Sequence, residues 1–262
     1  MLKKLLKYDL EWCFKPLIVF YILTIIFAII TRIVEDLEQT LIVLIIDKIC
    51  SGIIIAMIVN IIINCFMRNW ARFIKNIYKD ESYLTHTLPV SKNELYLSKV
   101  LTAIITLLAS FIVIVVSLAI CCLNKDTWES LKITLEQSAV YFDSSVFSLV
   151  VTLIATIFFE FLFMLMSGIL GIIIGHKSNN LKIIKSIISG FIIYMGLSLI
   201  SLGILYISGL INPDIMSIFN DMEVSSNAIK STAIIGISVY IVYTVIVYII
   251  GNKLLNKGVN VD

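Results

Sequence analysis

The 262 residues are 60% hydrophobic and 15% charged, and a mean hydropathy of +1.03 excludes an ordinary soluble domain in favour of an integral membrane protein. The formal charge of +2 is not gathered into one basic stripe and no nucleic-acid-binding module is spelled, so nucleic acid is not an expected partner. A spanning helix needs roughly 20 mostly apolar residues; the apolar runs are continuous rather than alternating with period two, which predicts helices and not barrel strands.

The chain opens with MLKKLLKYDLEWCFK. Leu2, Leu5, Leu6, Trp12 and Phe14 can meet the acyl boundary while Lys3, Lys4 and Lys7 face headgroups, predicting a short interfacial helix over 1–15, with a topogenic basic tail as the alternative. Pro16 follows near the start of the next helix, where a missing N–H costs least. The first span is expected over 13–34. Its lysine-rich start resembles the beginning of a signal peptide, but TRIVEDLE after Ile30 offers no small-x-small cleavage site, so the helix is expected to stay.

A second span is expected over 43–66, continuing as an amphipathic helix in which Trp70, Phe73, Ile74, Ile77 and Tyr78 recur at helical spacing while Arg68, Arg72, Lys75 and Lys79 fall largely elsewhere on the wheel. The next stretch, KDESYLTHTLPVSKNEL from Lys79 to Leu95, is polar and contains Pro89. Ser91 to Glu94 spell a capping box, S-x-x-E, directly before the next apolar run. The reading is a helix, a turn at Leu88-Pro89-Val90, and a capped helix start: a built shape, too short at 67–98 for a soluble catalytic domain. A contact surface for a partner explains it best, with Tyr83, Leu84 and Leu88 as anchors and Asp80 and Glu81 as rim charges. A hairpin packed on the protein's own helices is the alternative.

Residues 72–100, RFIKNIYKDESYLTHTLPVSKNELYLSKV, resemble the cytoplasmic loop of bacterial ATP-binding-cassette exporter permeases of the type-2 class. There an aromatic and basic helix leads into D-E-x-Y-L-T-x-T-L-P-V-S and a helix start rich in leucine and lysine. The resemblance implies an all-α polytopic fold with six transmembrane helices over a single domain, 1–262, both termini cytoplasmic, an interfacial helix at 1–15 and a structured coupling segment at 67–98. It implies that Asp80, Glu81, Tyr83, Leu84, Thr85, Thr87, Leu88 and Pro89 meet a separate cytoplasmic ATPase subunit. ATP and Mg would then be bound by that partner and no cofactor by this chain. A second copy or a related permease would complete the pathway in the bacterial cytoplasmic membrane.

Further spans are expected over 99–123, 146–175, 183–211 and 232–251. Within the fourth, Glu160 in TIFFEFLF is the only clear charge at the middle of a run. A lone carboxylate at that depth is expensive and functional by default, here as a lining or gate of a transport path, with helix packing as the alternative. Ser167, Gly171 and Gly175 repeat at a spacing of four, which lets another helix approach closely. The same letters only superficially suggest a phosphate loop: three residues, not four, separate Gly171 from Gly175, and His176 precedes Lys177. The fifth span is rich in Gly and Ser, and SGLINPDIMSIFNDMEVSSN after it is expected to form short interfacial helices.

Fifteen of the twenty Lys and Arg fall in the N-terminus, 67–99, 176–185 and the C-terminal tail, leaving Arg32, Lys48, Lys125, Lys132 and Lys230 opposite; the positive-inside rule puts both termini in the cytoplasm. Cys13, Cys50, Cys65, Cys121 and Cys122 show no metal or disulfide spacing. No nucleophile-base pair or H-E-x-x-H spelling suggests an intramembrane enzyme. The expected role is an ATP-driven exporter subunit. An ion-coupled secondary transporter and a non-transporting sensor or scaffold are the alternatives.

Overall fold

The computed structural model describes residues 1–37, 40–122, 125–220 and 225–258. Among them there are nine helices and no strand: α1 Leu2–Glu35, α2 Leu41–Ile77, α3 Ser82–Thr87, α4 Lys92–Cys121, α5 Lys125–Tyr141, α6 Val146–Gly175, α7 Lys182–Ile211, α8 Pro213–Met216 and α9 Ser226–Asn256. Six of these, α1, α2, α4, α6, α7 and α9, are long and apolar enough to cross a membrane. The protein is an all-α, multi-pass membrane protein.

The long helices outrun the apolar segments because polar turns at their ends continue the helical path. α4 starts at Lys92 and not at 99 because the capping box forms: Glu94 N–H donates to Ser91 Oγ at 3.2 Å and Ser91 N–H to Glu94 Oε2 at 3.3 Å. α9 starts at Ser226 because the Ser225 hydroxyl accepts from Ala228 N–H at 3.1 Å. Residue 123 of the expected third span, and 221–224 of the segment before α9, lie outside the described residues. α8 supplies one short helix in that segment, and α5 occupies a stretch for which the sequence suggested no element.

The expected interfacial helix over 1–15 is not a separate element, because α1 runs unbroken through Pro16. A mid-helix proline removes one hydrogen bond and crowds the preceding turn. Here one buried stripe, Asp9, Cys13, Leu17, Tyr21, Thr24, Ala28 and Thr31, extends on both sides of it. Packing of that stripe outweighs the local penalty, as tertiary contact generally does for helices.

The chain divides into two compact units, 1–72 with 97–134 and 73–96 with 135–262. α2, α4 and α5 each pass from one unit into the other. In the first, α1, α2 and α4 meet along a polar seam. The Tyr21 hydroxyl lies 2.8 Å from Ser110 Oγ, and Asn69 Nδ2 donates to Thr106 Oγ1 at 2.9 Å. Thr102, Thr106 and Ser110 donate to the carbonyl one turn back, so their hydroxyls are satisfied without water. In the second unit α6 packs against α7 and α9.

Candidate functional site

The segment from Lys79 to Leu95 is built residue by residue in the second unit. α2 ends in a tight turn, with Glu81 N–H on the Lys75 carbonyl at 3.3 Å and Ser82 N–H on that of Lys79 at 2.6 Å. α3 then runs six residues and stops at Leu88, whose backbone is extended (φ −66, ψ 140), as the residue before a proline is forced to be. Val90 N–H closes the turn on the Leu88 carbonyl at 2.7 Å, and the capping box opens α4.

A six-residue helix has no stability of its own in water, so α3 depends on its tethers. Asn76 Nδ2, near the end of α2, donates to Glu81 Oε2 at 3.1 Å and to Thr85 Oγ1 at 3.0 Å. Thr85 Oγ1 donates to the Glu81 carbonyl at 2.8 Å, and Lys75 Nζ lies 3.7 Å from Glu81 Oε1. Ser82 and Thr85 are buried. Beneath them Tyr78 is buried and stacks on His176 with ring centroids 4.2 Å apart; burial pushes the Tyr78 hydroxyl pKa up. His176 Nδ1 meets the Ile172 carbonyl at 2.9 Å, which fixes the ring at the end of α6. Tyr96 packs between Phe73 and Tyr248, and Asn256 Nδ2 donates to Asn93 Oδ1 at 2.6 Å, so the start of α4 is held to α9.

The outer face of α3 is left apolar. Tyr83 and Leu84 are each 73% exposed and Leu88 46%, while Asp80, Thr87 and Pro89 are exposed around them. The eight residues singled out in the sequence therefore divide in two. Tyr83, Leu84, Leu88, Asp80, Thr87 and Pro89 form an outward prow; Glu81 and Thr85 turn inward as its tethers, so Glu81 is not a rim charge.

Glu160 sits at the midpoint of α6, half-buried, and accepts from the Tyr194 hydroxyl at 3.4 Å. One turn on, Phe163 is ringed by Tyr194, Tyr240 and Tyr243 at centroid distances of 5.5, 5.8 and 5.5 Å. Ser167, Gly171 and Gly175 all face α7. A Cβ on Gly171 would come within 2.6 Å of the Ser186 carbonyl oxygen, and one on Gly175 within 2.6 Å of Ser186 Cα, closer than any real contact. Gly190 completes this approach, its own Cβ position lying 3.4 Å from the Ser167 carbonyl oxygen.

Sequence reasoning missed a buried ion cluster in the first unit. Asp9, only 1% exposed, accepts from Arg72 Nε at 2.8 Å, Lys99 Nζ at 2.6 Å and Ser98 Oγ at 2.7 Å. Arg72 and Lys99 are 9% and 5% exposed, and Arg72 also lies over the Trp12 ring at 5.6 Å. Read separately, all three charges look like members of basic or mixed surface segments. The available signal was register: Asp9 stands four residues before Cys13 and eight before Leu17, on the face that α1 buries.

Among the described residues no three His, Cys, Asp or Glu side chains converge to hold a metal. Comparison with protein-family models, with curated proteins and with solved structures gives no match.

Proposed function

We propose that this chain is the membrane subunit of an ATP-driven exporter and that α3 is the surface on which a separate cytoplasmic ATPase acts. The observation that carries this reading is the two-sided build of α3: an apolar prow of Tyr83, Leu84 and Leu88, pinned from behind by Asn76, Glu81, Thr85 and the Tyr78–His176 stack. Exposed aromatic and aliphatic side chains on a fixed backbone suit a binding anchor, because little side-chain freedom is lost on docking. The alternative of a loop folded onto the protein's own helices would put these side chains inward.

Coupling follows from connectivity. α3 is joined through short turns to α2 and α4, and both helices run on into the first unit. ATP and Mg, bound by the partner, would drive closure of two ATPase subunits; the displacement enters at α3 and is delivered along two long helices, which tilt as rigid rods. A second copy of this chain, or a related permease, provides the other half of the pathway. The distribution of Lys and Arg supports a cytoplasmic side for α3 and both termini, and the resemblance over residues 72–100 supports a bacterial cytoplasmic membrane.

The test is isolation of the tagged chain from native membranes. A co-purifying ATPase is expected, and Leu84→Asp should release it and lower substrate-stimulated hydrolysis by about tenfold or more, the scale of losing one hot-spot side chain. The melting temperature should stay unchanged because Leu84 supports nothing inside. Wild-type hydrolysis in the Leu84→Asp chain overturns the assignment, and nucleotide-free uptake driven by a proton or sodium gradient points to a secondary transporter instead.

A further inference from the structure

In the second unit a cavity of about 410 Å³ lies between the first turns of α6 and of α9, at the end of these helices away from α3. Its volume is within the range of small-molecule sites, roughly 300–1,000 Å³. The α6 wall carries Ser148, Thr152 and Thr156 at a spacing of four, and the α9 wall carries Ile229 and Ala233. Lys230 closes the rim, its ammonium donating to the Asp143 carbonyl at 2.8 Å. On α6 the lining ends at Thr156 and Ile157, and Glu160, outside the lining, is the next residue in the hydroxyl row, one turn and about 6 Å further along. On the facing helix the row through Ile229 and Ala233 arrives at Tyr240, whose ring stacks on Phe163 at 5.8 Å, one turn from Glu160. The hydroxyl row thus leads to a half-buried carboxylate beside Tyr194, one turn from the buried ring of Phe163 on which Tyr240 stacks.

We infer that this cavity and the carboxylate one turn beyond it form a binding site for an amphiphilic organic cation, whose charged group reaches Glu160 and whose body lies along the wall of Ile229 and Ala233. A carboxylate in low dielectric selects for positive charge, the π-faces of tyrosines add to that selection, and both disfavour an anion. The hydroxyls of α6 supply donors and acceptors to a polar portion of the ligand. The inference rests on the transport reading in one respect: it names the class of cargo that such an exporter would carry.

Binding is measured on the full chain in nanodiscs of neutral lipid, without ATPase or nucleotide, so a failure of the coupling assignment leaves the result untouched. The probes are radiolabelled tetraphenylphosphonium and its isosteric anion tetraphenylborate, each corrected for uptake by empty nanodiscs. Saturable binding of the cation and none of the anion is expected, with Glu160→Gln weakening the cation by about tenfold or more. Ala233→Phe, which fills the cavity and leaves the carboxylate in place, should weaken it similarly, so the result does not depend on either variant alone. Equal binding of both probes, no saturable binding of the cation, or wild-type affinity in both folded variants overturns the inference.

Discussion

Asp9 is the residue whose environment differs most from what its neighbours in the chain suggest. It is a carboxylate with almost no solvent, satisfied by a guanidinium, an ammonium and a hydroxyl from two other helices. Arg72 and Lys99 converge on the same carboxylate, so the members of the cluster are not equivalent. Asp9→Asn removes the carboxylate that Arg72 and Lys99 both contact, and breaking a buried pair in this way costs about 3–5 kcal/mol. Lys99→Met leaves the Asp9–Arg72 and Asp9–Ser98 contacts intact. Its expected cost is smaller than that of Asp9→Asn, because Asp9 keeps a cation and a hydroxyl as partners. Denaturant unfolding in detergent should resolve the difference; equal losses in the two variants would mean that the charges are not coupled as the distances indicate.

At the scale of single elements, α3 and α6 show opposite ways of holding a helix. α3 is too short to persist alone and is kept by side-chain hydrogen bonds from Asn76 and Thr85. Asn76→Ala removes both Asn76 bonds, worth about 1 kcal/mol each. Amide exchange at 82–87 is expected to accelerate by about tenfold or more, while the interior of α6 keeps its protection; unchanged exchange at α3 would show that other contacts hold it. α6 is instead held to α7 by the absence of side chains at Gly171 and Gly175, where the backbones meet. Gly171→Ala must push α7 away at the Ser186 carbonyl, and overpacking of this kind costs about 1–3 kcal/mol. Gly196 and Gly203, on α7, have nothing within 4 Å of a Cβ position, so Gly203→Ala should be neutral or slightly stabilising. A thermal melt of the two variants side by side checks the contrast.

For the molecule as a whole, two compact units share α2, α4 and α5, and α3 stands on the link between two of these helices. Thr102, Thr106 and Ser110 of α4 donate their hydroxyls to the carbonyls one turn back, so these groups need no water within a bilayer. All six spans were legible in the sequence because the cost of an unpaired backbone group in lipid forces long apolar helices, whatever they pack against. The turn at Leu88-Pro89 and the capping box at Ser91 and Glu94 were legible too, since each is fixed by covalent geometry or by contacts a few residues apart, and the row at Ser167, Gly171 and Gly175 was legible from its spacing of four, though its partners Ser186 and Gly190 were not. The continuity of α1 through Pro16 was not, because the local rule for proline was outweighed by a buried stripe that exists only against partners. The inward turn of Glu81, the meeting of Asp9 with Arg72 and Lys99, and the placing of Tyr194 beside Glu160 and of Tyr240 on Phe163 were decided by tertiary structure alone. A charge's meaning depends on what desolvates it and what pairs with it, and in this chain those groups lie five to ninety residues away.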